Sequence, residues 1–360
     1  MKYVPTRTGQ YLLVAAAGNR DRFTIKIDGA TLIEQAPHDG AAYPAHVVIP
    51  LREGQSLDVE VRYFTQADAP HLGLGFQSVD ALLCPADKKI VASADAAIVA
   101  VGMNSFYERE GSNRTFGLPW GQNELIRQTA VLNPRTIVDI QAGGAVDTHT
   151  WIDHVPALID SWYGGQSTGA ALAQVLFGKS PGGKLPISWE RTAEDNPTYA
   201  HYNEVSGSSH KILYAEGIFS GYRFYTTEHK DPLFPFGYGL SYTSFELSNL
   251  KLLSAPGARQ VVVEFDVRNT GSFAGAEVAQ VYVSEPSAKI ERPVKELKAF
   301  SRVLLMPGTR KHVMVTLDEK AFSYYDVTTH AWRMDPGQFV ITVGNSSLDE
   351  RLSGHVDFSH

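Results

Sequence analysis

The chain has 360 residues, 43% of them hydrophobic and 20% charged, with a formal net charge of -7, so it is long enough for two or three domains with separate cores. The acidic balance and the lack of a basic run exclude a nucleic-acid partner, and no apolar run is long enough to span a membrane. The first thirty residues lack a basic–apolar–small signal pattern, which leaves a cytoplasmic or an unknown location as the expectation. A single cysteine, Cys84, allows neither a disulfide framework nor a thiolate metal site within one chain, and a buried structural thiol is expected.

Residues 1 to about 78 read as all-β. The runs QYLLVAAA, RFTIKIDGATLIEQ, AHVVIPL and LDVEVRYFT alternate polar and apolar positions and break at Asp28-Gly29 and Glu53-Gly54. Asp28-Gly29 between two such runs is a hairpin-turn signal, so Asp28 is read as a turn former and not as a sugar contact. From about residue 88 strands alternate with helices: AAIVAVG, then the helical spacing of GQNELIRQTAVLN with a stop at Asn133-Pro134. RTIVDIQ and ALIDSW follow as strands, then the small-residue helix STGAALAQVLFG closed by Gly178. This alternation predicts right-handed crossovers and a parallel sheet. Residues 200 to 245 are rich in aromatics and glycines with weak periodicity and read as an ordered wrapping segment. Beyond 246, RQVVVEFDVRNTG, GAEVAQVYVSE, RKHVMVTLD and GQFVITVGNSS, spaced by turn signals, predict an antiparallel β-sandwich.

In open parallel sheets, ligands bind beyond the carboxyl ends of the strands. The loop after AAIVAVG lies at such an end and holds Glu108 and Glu110, with Arg109 and Arg114 nearby. A carboxyl there can donate a proton if partial burial raises its pKa, while an arginine holds the other carboxylate ionised. Spacing alone favours the plainer reading of a solvated loop with weak surface pairs. Elsewhere, His149, His154 and His201 form no convincing metal triad, so no metal or cofactor is expected. GGQSTG and GKSPGGK lack the spacing of a phosphate loop, and the second reads as a helix stop followed by a turn. The aromatics of GYRFY and FPFGYGLSYTSF are expected to pack a seam between domains.

The stretch VGMNSFYEREGSNRTFGLPWGQNELI resembles a segment of glycoside hydrolase family 3 β-glucosidases that reads roughly VGxNxxxExEGxDRxxLxLPxxQxELI. IDSWYGGQSTGAALAQVLFGKSPGGKLPISW is similar to a second block of that family. YAEGIFSGYRFY with PLFPFGYGLSYTSFE is similar to its connecting segment. NTGSFAGAEVAQVYVSEP, RPVKELKAFSRVLLMPG and GQFVITVGNSS are similar to its fibronectin type III-like module, and residues 1–78 to half of a protective-antigen-like carbohydrate module.

The resemblance implies an α/β plus all-β protein. Its parts are a partial β module over 1–78, a partial parallel α/β sandwich domain over 79–205, a connecting segment over 206–245 and a fibronectin type III-like sandwich over 246–360. It implies retaining exo-hydrolysis of terminal β-D-glucosyl residues, with an aspartate nucleophile from an N-terminal (β/α)8 barrel and a glutamate acid/base from this chain. That pattern is absent here, so the chain is expected to be the C-terminal portion of a split, truncated or incomplete enzyme, with the barrel supplied in cis or in trans. Glu108 is expected to be the acid/base, with Glu110 as the alternative or as loop support, and Arg114 a substrate contact. Asn113 stands where the family pattern has an aspartate, and accepts a hydrogen bond in much the same shape. The expected partners are a β-glucoside or oligosaccharide and, through exposed sheet edges, a second copy of the chain. The alternative function is a non-catalytic carbohydrate-binding or scaffolding remnant.

Overall fold

The computed structural model describes the chain apart from residues 38–44, 66–69, 106, 111–113, 202–204, 207–208, 211–212 and 359–360. It divides into two compact units, Met1–Gly143 with Thr148–Tyr163, and Gly144–Asp147 with Gly164–His360.

The first unit opens with seven strands: β1 (Lys2–Tyr3), β2 (Gly9–Ala17), β3 (Arg22–Ile27), β4 (Ala30–Gln35), β5 (Ala45–Leu51), β6 (Leu57–Phe64) and β7 (Leu72–Ser78). They form two antiparallel sheets in the orders β1-β6-β3-β4 and β5-β2-β7, closed on a core that includes Leu13, Phe23, Ile25 and Leu57. The alternation read from the sequence is what allows it, because one face of each strand is apolar. Asp28 and Gly29 both take positive φ, 50° and 82°, between the paired residues Ile27 and Ala30, as a two-residue hairpin turn requires. The Asp28 carboxylate accepts from the Asp58 amide at 2.9 Å, so it is committed to the turn. Glu53-Gly54 differs: it carries the chain from β5 in one sheet to β6 in the other, and the Gly54 amide donates to the Pro5 carbonyl.

Cys84 is exposed, contrary to the buried thiol expected. The physical reason is helix capping. Its sulfur accepts from the Asp87 amide at 3.4 Å while the Asp87 carboxylate accepts from the Cys84 amide at 3.0 Å. This reciprocal box opens α1 (Pro85–Ser93), with proline in the first turn.

β8 (Ala97–Gly102), α2 (Gln122–Leu132), β9 (Thr136–Gln141) and β10 (Ala157–Asp160) build the parallel sheet, in the order β10-β9-β8. Val99 pairs with Val138 and Ile137 with Ala157. The β8 run is apolar throughout, yet only one face is buried: Val99 and Val101 point inward while Ile98 is 54% exposed. At the end of α2 the buried Asn133 side chain donates to the Val91 and Ala94 carbonyls and accepts from the Arg135 amide. The expected stop at Asn133-Pro134 is therefore also the joint between α1, α2 and β9.

The second unit begins with α3 (Thr168–Leu176), followed by Gly178 at φ 104°. Two short strands, β11 (Val205–Ser206) and β12 (Ser209–His210), and α4 (Tyr222–Thr227) come next. The Tyr222 ring packs against Phe236 and Tyr282, with centroids 4.8 and 6.0 Å away, so these aromatics pack within the second unit. The sandwich consists of β13 (Phe245–Leu253), β14 (Val261–Asn269), β15 (Gly275–Ser284), β16 (Glu296–Leu305) and β17 (Arg310–Leu317). After α5 (Glu319–Phe322) and the hairpin β18 (Tyr324–Asp326) and β19 (Ala331–Arg333), it ends with β20 (Gly337–Ser346) and β21 (Asp349–Phe358). Its sheets run β13-β14-β17 and β16-β15-β20-β21. Val263, Phe265 and Val281 meet Phe339, Ile341 and Val343 between them. The expected fold class holds: a parallel α/β sheet, antiparallel sheets before it and a C-terminal sandwich.

Candidate functional site

The site is built at the carboxyl ends of β8, β9 and β10, all in the first unit. Gly102 closes β8 at φ 150°, where a Cβ would collide with the Gln141 backbone; only glycine fits both demands. Its amide donates to Gln122 Oε1 at 2.8 Å and its carbonyl accepts from Gln122 Nε2 at 3.0 Å. The chain then turns, with the Tyr107 and Glu108 amides both donating to the Asn104 carbonyl at 2.9 Å.

This turn carries the Glu108 carboxylate to three donors from different parts of the chain. Arg114 Nε donates to Oε1 at 3.0 Å. On Oε2 the Gly143 amide, just beyond β9, donates at 2.9 Å, and the Tyr163 hydroxyl, just beyond β10, at 2.6 Å. Gly143 is needed here for its missing side chain, because a Cβ would lie 2.7 Å from Glu108 Oε1. The Arg114 and Glu108 side chains are only 19% and 21% exposed, which lifts this pair above an ordinary surface ion pair.

Burial pushes the Glu108 carboxyl up, but the Tyr163 hydroxyl, the Gly143 amide and the Arg114 guanidinium outweigh it and hold the group below its ordinary value. Tyr163 moves the other way, pushed up to about 12 by burial and by the carboxylate it serves. The expectation of a donor raised by burial, with an arginine holding the other glutamate, is thus corrected for Glu108. Arg114 pairs with Glu108 itself. Glu110 is exposed, and no hydrogen bond or ion pair ties its carboxylate to another described residue. Gly111 and Asn113 lie outside the described residues.

Sequence reasoning gave no role to the turn after β10. Trp162 sits at φ 49°, a left-handed conformation that is costly for a bulky side chain. Asp160 Oδ1 accepts from the Trp162 amide at 3.2 Å. Ser161 donates from its amide to the Ile140 carbonyl and from its hydroxyl to Asp139 Oδ1 at 2.5 Å. Asp139 is fully buried. Burial, with the charge of Asp139 adding to it and the Trp162 amide opposing it, pushes Asp160 up to about 6. The signal was available: SWYGG directly follows a strand of a parallel sheet, at the end where ligands bind. Among the described residues no group of three or more His, Cys, Asp or Glu is arranged to hold a metal.

Comparison with known proteins follows the same lines. Residues 54–242 match the glycosyl hydrolase family 3 C-terminal domain and residues 277–347 the fibronectin type III-like domain. A thermostable beta-glucosidase B of Acetivibrio thermocellus is 39% identical over 275 residues, covering 75% of this chain and 36% of that protein. A beta-glucosidase of Kluyveromyces marxianus is 38% identical over 318 residues, covering 83% of this chain and 36% of that protein. The crystal structure of the Kluyveromyces marxianus enzyme in complex with glucose matches 100% of this chain and 44% of its own, with a TM-score of 0.73 at 32% identity. The chain therefore spans little more than a third of the length of these curated relatives. It belongs to glycosyl hydrolase family 3, of which it carries the C-terminal domain and the fibronectin type III-like domain.

Proposed function

We propose that this chain supplies the proton-transfer half of a retaining β-glucosidase-type exo-hydrolase, acting on terminal β-D-glucosyl residues beside a nucleophile-bearing barrel in cis or in trans. The observation that carries the reading is the contrast between the two loop carboxylates. Glu108 accepts from three donors, and each of these hydrogen bonds to its ionised form opposes protonation. Glu110, two residues on, is exposed and held by no described residue. Glu108 is thereby committed, in its ionised form, to holding the loop, which leaves Glu110 as the carboxyl open to exchange a proton with a substrate. Glu110 is accordingly the proposed acid/base, and Glu108, the first choice on sequence, fixes the loop.

In the first step Glu110 protonates the glycosidic oxygen as the C1–O bond breaks and the barrel carboxylate bonds to C1. In the second, Glu110 takes a proton from the water that attacks C1, and the sugar and the barrel carboxylate are released. One carboxyl cannot complete this cycle. The test is turnover of an aryl β-glucoside by the chain alone and by the chain complemented with a family barrel and the sheet strands that belong with it. No turnover alone and turnover when complemented is expected. Hydrolysis by the isolated chain with both glutamates replaced overturns the reading, and silence of a folded complemented assembly favours the non-catalytic alternative.

A further inference from the structure

We propose that Tyr163 is a positioning residue for the proton donor: its hydroxyl pins Glu108, and through Glu108 it sets the loop that presents Glu110. The proposal rests on the functional reading above and extends it to a residue that acts without touching the reacting atoms.

Three observations meet at this side chain. The first is connectivity. With the Gly143 amide at 2.9 Å and the Tyr163 hydroxyl at 2.6 Å, one carboxylate ties the segments that follow all three strands of the parallel sheet. The loop after β8 contributes Glu108, the segment after β9 contributes Gly143, and the turn after β10 contributes Tyr163. The second is strain. Trp162 holds φ 49°, a strained conformation for a bulky side chain that persists only where the surroundings over-determine it. The Asp160 carboxylate on the Trp162 amide, and the Ser161 hydroxyl on Asp139, are those surroundings. They turn the chain just before Tyr163. The third is fit. Gly143 leaves the space that Glu108 fills, and a Cβ there would also lie 3.3 Å from the Tyr163 ring.

The hydroxyl is removable without the ring. In Tyr163→Phe, Glu108 keeps Arg114 and Gly143 but loses its shortest hydrogen bond. A hydrogen bond to a charged group contributes about 1.5–3 kcal/mol, so the hold on the loop weakens by about tenfold or more. The Glu108 carboxyl then titrates nearer its ordinary value, and Glu110 delivers its proton less often.

The experiment has two arms. In the full chain carrying carboxyl-labelled glutamate, the Glu108 resonance is assigned by its absence in Glu108→Gln and titrated by NMR. Its midpoint rises in Tyr163→Phe; an unchanged midpoint overturns the proposal. In the complemented enzyme, Tyr163→Phe lowers kcat/KM about tenfold for a glucoside with a poor leaving group and spares kcat/KM for an activated aryl glucoside, whose departure needs little protonation. Equal loss on both substrates, or none on either, also overturns it. Glu110→Gln is the control: if it shows no leaving-group dependence, the functional reading fails, while the NMR arm still decides whether Tyr163 holds Glu108. Should Tyr163→Phe fail to fold, Gly143→Ala displaces Glu108 from the other side and must give the same leaving-group signature.

Discussion

Asp160 and Glu108 sit at the ends of neighbouring segments and answer pH in opposite directions. Burial, with Asp139 adding to it, raises Asp160 to about 6 from an ordinary 3.8, so the folded state binds a proton the unfolded state has released. Its contribution is favourable at low pH and is lost as pH rises from about 4 through 6. Glu108 is lowered, so its contribution is present above its ordinary value and disappears as pH falls through the folded one. Asp160→Asn should therefore stabilise the protein at pH 7.5 by about 1–2 kcal/mol, after allowing for solvent screening of a half-buried group, and flatten the melting temperature between pH 4 and 6. A variant less stable than the parent at pH 7.5 contradicts this. Glu108→Gln should instead remove an acid-side loss of stability below about pH 4.5. The types and place of Glu108 and Glu110 were legible, because a polar loop follows an apolar strand. Their division of labour was not. Gly143 and Tyr163 reach Glu108 from 35 and 55 residues away, and such tertiary partners decide a pKa that local spacing leaves open.

Secondary structure was legible wherever one periodicity ruled a segment. The alternation of VVVEFDVRN and of RKHVMVTL reappears as buried and open positions in β14 and β17, because a sandwich strand turns one face to the core and the other outward. Cys84 was misread since a thiol is usually a small hydrophobe, whereas the following Pro85 and Asp87 make it a helix cap. The sandwich core draws on residues from Phe245 to Phe358 alone, so a piece starting at Phe245 should fold by itself. Expressed separately, it should give a dispersed amide spectrum and one cooperative melt, and a collapsed spectrum contradicts this. In that piece Phe265→Ala should cost about 3–5 kcal/mol, read from chemical denaturation, since the ring is fully buried between the sheets.

At the scale of the whole chain, two features bear on behaviour in solution. Each outer strand of the parallel sheet, β8 and β10, has a described partner on one side only. Apolar side chains are also exposed in this part of the chain: Ile98 on β8, Ile90 on α1 and Val131 on α2. Unpaired edges and exposed apolar surface favour association. The chain should self-associate with rising concentration by light scattering, and Ile98→Lys should reduce this; a monomer at every concentration contradicts it. The same chain spans 36% of its curated beta-glucosidase relatives, and the proposed chemistry needs a second carboxyl from a barrel. The measurement that tests the central claim most directly is product analysis with azide in the complemented enzyme, using an activated aryl β-glucoside. A retaining enzyme without its acid/base still forms the glycosyl ester but cannot activate water. Azide needs no base and attacks C1 instead. The account predicts β-glucosyl azide and restored turnover for Glu110→Gln, and neither for Glu108→Gln. Rescue of Glu108→Gln, with Glu110→Gln unaffected by azide, contradicts it.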